Sequence, residues 1–154
     1  MFFHDCSFVY FTLGSAIMLE VCLDRYDGRL ALSELRVERT VINGDTATIT
    51  LPLSDEHEIE VYFPVLQGVI SDPLLERAKS VLKSLASMDN QVQQACAEEC
   101  ARTGIASENF ESYLSYISLG GAVVVLGYFG SAVNTNWDEQ FTMRDGKWVR
   151  LSQA

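Results

Sequence analysis

The side chains most able to do chemistry are two histidines and four cysteines. His4 sits near the N-terminus, and His57 lies in the run Ser54-Asp55-Glu56-His57-Glu58. A histidine beside carboxylates can serve as a general base held by an acid. The same run is also the ordinary composition of a solvated turn. Asp55, Glu56 and Glu58 offer hard oxygen ligands, but the ligand order and central glycine of a calcium loop are missing. Cys96 and Cys100 lie one helical turn apart, and no further His or Cys follows at zinc-ligand spacing. With Cys6 and Cys22 they are too few and too irregular for a disulfide framework, and they read as buried thiols. The chain has no glycine-rich phosphate loop, nucleotide fingerprint or serine elbow. The expectation is a protein with no catalytic centre, metal site or cofactor.

A second constellation suits recognition better than catalysis. Tyr128-Phe129-Gly130-Ser131-Ala132-Val133-Asn134-Thr135-Asn136-Trp137-Asp138-Glu139 sets aromatics, amides and adjacent acids around a small-residue loop. Aromatic anchors next to hydrogen-bonding groups are what a binding surface uses. Core packing of Tyr128, Phe129 and Trp137 is the competing reading. It is favoured for Phe129 and evenly matched for the residues from Asn134 to Glu139.

These residues need elements to place them. Ile17–Leu23 and Leu35–Ile42 read as strands. Asn43-Gly44 is a two-residue hairpin turn leading into the β-branched run Thr46–Leu51. Glu58–Phe63 alternates, with Ile59, Val61 and Phe63 on one face and Glu58, Glu60 and Tyr62 on the other. Asp72-Pro73 predicts a helix start, with Asp72 as the N-cap and Pro73 in the first helical position. Leu74, Leu75, Ala78, Val81, Leu82 and Leu85 form its apolar stripe. A second helix is expected to restart at Asp89 and end at Gly104, the two forming an antiparallel pair over a sheet face.

A cap at Ser107 opens a short turn through Glu111. Tyr113–Leu119, the almost wholly apolar Ala122–Phe129, Trp137–Met143 and Lys147–Leu151 then form an antiparallel meander. In it, Trp137, Glu139, Phe141 and Met143 share a face. The fold class is α+β, antiparallel strands around a central helix pair and then a C-terminal β-meander, in a single domain spanning 1–154.

The formal net charge of −10 argues against a nucleic-acid partner and against an anionic membrane surface. It suits a basic partner. The charge is unevenly spread. Thr40 to Glu76 contains no Lys or Arg but holds Asp45, Asp55, Glu56, Glu58, Glu60, Asp72 and Glu76. Thr103 to Met143 also lacks Lys and Arg and holds Glu108, Glu111, Asp138 and Glu139. If the two stretches meet in space, they make a substantial negative field. The apolar start, Met1–Leu19, lacks the basic region of a signal peptide, and its apolar run is too short for a membrane span. A buried strand or hairpin and a cytoplasmic location are the expectations, with Met18 an alternative start.

The strands ending in Glu58–Phe63, the helix pair from Asp72, and the phrase Gly-Tyr-Phe-Gly…Val-Asn-Thr-Asn-Trp-Asp…Asp-Gly-Lys-Trp resemble small bacterial immunity proteins. Those proteins are encoded beside polymorphic toxins, including the toxins of contact-dependent growth inhibition. The resemblance runs over roughly Leu35–Leu151 and implies a protein that binds a sibling cell's toxin domain, many of which are basic nucleases. It carries over no interface residue. Charge and exposure alone select the partner-binding candidates Asp55, Glu56, Glu58, Glu60, Tyr62, Asn136, Trp137, Asp138 and Glu139. Two alternatives stand beside this one: a regulatory or homo-oligomeric interaction domain built on an exposed strand edge, and an enzyme centred on His57.

Overall fold

A computed structural model describes residues 10–13, 16–23, 28–31, 41–54, 57–106, 112–130 and 135–152. The elements run β1 (Tyr10–Leu13), β2 (Ala16–Leu23), β3 (Gly28–Ala31), β4 (Val41–Asn43), β5 (Thr46–Ser54), β6 (His57–Pro64), α1 (Asp72–Lys83), α2 (Leu85–Thr103), β7 (Ser112–Ser118), β8 (Val124–Gly130), β9 (Thr135–Arg144) and β10 (Lys147–Arg150). The fold is α+β. Strands β1 to β3 form a three-stranded antiparallel sheet, and the other seven form one sheet in the order β10-β9-β8-β7-β6-β5-β4.

The expected C-terminal meander is present, and it joins the strands that precede the helices in the same sheet. The seam is the pair β6–β7, which is parallel where every other described pair is antiparallel. Parallel neighbours need a long crossover, and α1 and α2 supply it. Asp145-Gly146 takes φ +49° and +76°, the left-handed pair expected of a two-residue turn. The β4–β5 hairpin instead turns through Gly44 and Asp45, one position later than the expected Asn43-Gly44: Gly44 takes φ +65°, and Asn43 is the last residue of β4, paired with Thr46.

One face of the large sheet and the inner sides of the helices make the core. Ala47, Ile49 and Leu51 of β5 lie opposite Phe63, Val61 and Ile59 of β6, and all six are buried. Ala78, Val81, Leu82, Leu85, Met88 and Val92 come from the helices, and Leu114, Ile117, Val124, Leu126, Tyr128, Phe141 and Trp148 from the later strands.

The helices depart from expectation in three ways. Ser71 is the N-cap of α1, with Asp72 and Pro73 as its first two residues. The break falls at Ser84, and Asp89 lies inside α2, buried, accepting the Tyr128 hydroxyl at 2.7 Å. Its role is to satisfy a core phenol, not to start a helix. The helices are also consecutive, not antiparallel. Only Ser84 separates them, and backbone bonds Ser84 N–H to Ser80 O and Met88 N–H to Ser84 O carry the ladder through the junction. A helical hairpin needs a longer loop than that. Gly104 ends α2 as expected, in the left-handed conformation at φ 75°. The predicted strand Leu35–Ile42 and the cap at Ser107 fall largely outside the described residues, as do His4, Cys6, Asp55 and Glu56.

Candidate binding face

Side chains alternate across a strand, so each core residue fixes its neighbours on the opposite face of the sheet. On β6, Glu58 and Glu60 are exposed and Tyr62 is half-buried. Register places Tyr116 of β7 beside Glu60, Gly127 of β8 opposite Tyr116, and Asp138 of β9 opposite Gly127. Acids from the two Lys- and Arg-free stretches therefore meet on one sheet face.

Two tyrosines join them. The Tyr62 hydroxyl donates to Glu60, and the Tyr116 hydroxyl donates to Asp138 Oδ1 at 2.5 Å. The rings meet edge to face, with centroids 5.6 Å apart. Tyr116 reaches Asp138 by crossing the whole width of β8. That passage exists because residue 127 is a glycine: a Cβ there would land within the Tyr116 ring. Burial, and then the bond to Asp138 and its charge, push the Tyr116 phenol up to about 12. Tyr62 is also raised, chiefly by its hydrogen bond to Glu60. Both phenols therefore remain neutral donors.

The same face continues toward one end through Tyr113, Phe129 and Asn136, which lie in register across β7, β8 and β9. Phe129 is half-exposed here, against the expectation of a core residue; Tyr128, one position earlier, takes the core site. The His57 ring packs on Tyr113 at 5.4 Å. At the other end, exposed Arg144 and Lys147 face each other across the β9–β10 hairpin and form a basic margin.

Trp137 and Glu139 are predicted site residues that the register sends to the helix side. Trp137 stacks on Tyr128 at 5.7 Å and packs against the core. Glu139 is buried and takes two bonds from Arg150, from Nε at 2.6 Å and from Nη2 at 3.2 Å. Both line a cleft of about 640 Å³ between α2 and the β9–β10 strands, together with Cys96 and Cys100. Of the nine candidates, Glu58, Glu60, Tyr62, Asn136 and Asp138 share the open face, Trp137 and Glu139 lie behind it, and Asp55 and Glu56 are not described.

Sequence reading missed Tyr113, Tyr116, Gly127 and Phe129. Simple alternation puts Leu114 and Tyr116 on one face, but the register shifts between them, and this bulge at Ser115 turns Tyr116 outward. The glycine inside an otherwise apolar strand was the available signal of a close approach.

Among the described residues, no group of three or more His, Cys, Asp and Glu could hold a metal ion. No described helix is long and apolar enough to cross a membrane. No protein-family model, curated protein or solved structure matches the chain.

Proposed function

We propose that this chain is a bacterial immunity protein that binds a cognate toxin domain through the open face of its large sheet. The observation that carries the reading is the meeting of Glu58, Glu60 and Asp138 on one exposed face bearing Tyr62, Tyr113, Tyr116 and Phe129. Tyrosine-rich surfaces supply rigid contact area with a polar tip, which is the composition of protein-docking surfaces. Carboxylates among the rings select a basic partner and speed its approach. Such a partner is a toxin domain with a phosphate-binding cleft, since a cleft built for a nucleic-acid backbone is positive. Binding there would occlude that cleft.

The alternative of association through strand edges finds an obstacle at β10. The Gln91 side chain of α2 lies along the outer edge of that strand, donating to Trp148 O at 2.9 Å and accepting from Arg150 N–H at 2.9 Å. Those backbone groups are the ones a second chain would need.

The test is co-expression with the toxin domain encoded immediately upstream. Protection of growth, a stable complex, and affinity that falls with salt are the expected results. The combined substitutions Glu58→Gln, Glu60→Gln and Asp138→Asn should weaken the complex and flatten its salt dependence. A complex indifferent to all three changes would refute docking through this face.

A further inference from the structure

We infer that the open face recognises an arginine side chain of its partner, seated on the Tyr116 ring between Glu60 and Asp138. The inference rests on the reading of this face as the docking surface and specifies what it reads. Tyr116 does not stand up from the sheet like an ordinary outward tyrosine. It leans across β8 through the space left by Gly127, and its hydroxyl is tied to Asp138 on the far strand. Strands are about 4.8 Å apart, so reaching from β7 toward β9 brings the ring down over the sheet. Tyr62 abuts it on the β6 side, itself tied to Glu60. The result is a partly buried aromatic platform, fixed at its tip by Asp138 and flanked by Tyr62, whose hydroxyl is bonded to Glu60.

Such a platform favours a flat cation. A guanidinium stacks on an aromatic ring and presents a planar fork of donors to carboxylates at its rim. An ammonium gains the charge attraction but can neither stack nor fork. A nucleic-acid base could stack as well, but the flanking acids would repel its phosphates. Gly127 is then a positioning residue: it touches no partner and holds the ring that does.

The experiment titrates the isotopically labelled protein with a hexa-arginine peptide and, separately, with a hexa-lysine peptide, following backbone amide shifts. The arginine peptide should bind at least about fivefold tighter, the worth of one exposed stacking contact near 1 kcal/mol. Its shifts should centre on Tyr116, Gly127 and Asp138. Tyr116→Ala should abolish the arginine preference, and Tyr116→Phe, which keeps the ring, should retain most of it. Equal affinity for the two peptides in the unmodified protein would overturn the inference without recourse to any variant, as would shifts centred elsewhere. The two readings fail separately. A protein that gives no protection from the toxin but binds the arginine peptide at Tyr116 loses the immunity function and keeps the arginine site. Toxin binding that depends on Glu58, Glu60 and Asp138 with no arginine preference keeps the docking face and loses the arginine site.

Discussion

Replacing Arg150 with methionine should destabilise the fold severely, and replacing Glu139 at the same time should restore it. Glu139 points into the helix side of the sheet, and its side chain is only 6% exposed; that of Arg150 is 24% exposed. The pair is joined by two hydrogen bonds. Removing one partner of a buried pair costs about 3–5 kcal/mol, because the remaining charge stays out of water with nothing to offset it. Arg150 retains some contact with solvent, so the Arg150→Met variant belongs at the lower end, about 3 kcal/mol. For a chain of this size that lowers the melting temperature by about 6–12 °C. The double variant Glu139→Leu, Arg150→Met exchanges the pair for apolar groups of similar bulk and should return to within about 1 kcal/mol of the original. Urea unfolding followed by circular dichroism measures all four proteins of the cycle. A loss below 1 kcal/mol for Arg150→Met, or a double variant no better than the single, would refute the assignment of Glu139 to the interior. So would Glu139→Gln weakening hexa-arginine binding while leaving stability intact, since that would return Glu139 to the open face.

Three further perturbations probe the rest of the frame. Gln91→Leu removes two bonds to the β10 edge, should cost about 1–2 kcal/mol, and should produce a concentration-dependent dimer in sedimentation velocity; a strict monomer would show that Gln91 does not guard that edge. Gly127→Ala should push the Tyr116 ring off β8 and break its bond to Asp138, so that the phenol titrates nearer 10 than 12 in ultraviolet difference spectra; an unchanged titration would mean that the ring never needed the gap. The raised Tyr116 pKa favours the protonated phenol in the folded state, so its contribution is complete below about 10, where the unfolded phenol ionises, and is lost as pH climbs through about 12. Tyr116→Phe should flatten that part of the stability profile, and a profile of the same slope with and without the hydroxyl would contradict it.

Most elements were legible because each carried a local signal, but β3 was not among them. Period-two alternation marked β5, β6 and β9, Gly44 and Asp145-Gly146 marked two hairpins, and the apolar stripe through Ala78, Val81 and Leu82 marked α1. What was not legible is non-local. Nothing in the residues of β6 or β7 says that they pair in parallel, because that choice is set by how the crossover helices pack. Asp89 has the composition of a helix start, and only its contact with Tyr128, thirty-nine residues away, reveals it as a partner for a buried hydroxyl. The candidate face was half legible. Glu58, Glu60 and Tyr62 follow from alternation alone. The tyrosine at 116 is hidden by the bulge before it, and the purpose of Gly127 becomes visible only when β7 and β9 stand on either side of it.

Adjacent acids in a strand cannot act as one charge cluster, and this sharpens what the acidic balance of the chain means. Asp138 and Glu139 are neighbours in sequence and lie on opposite faces of the sheet. Glu139 is neutralised within the molecule by Arg150, while Asp138 stands on the open face with Tyr116. On the helices, Glu76 and Glu99 are likewise matched by Lys79 and Arg102 one turn away. The field over the open sheet therefore comes from far fewer groups than the net charge suggests, with Glu58, Glu60 and Asp138 foremost. A small number of carboxylates set among fixed aromatic rings discriminates better than a diffuse acidic coat. A diffuse coat would attract any cation, whereas carboxylates beside an anchored ring would favour a flat cation able to stack on it.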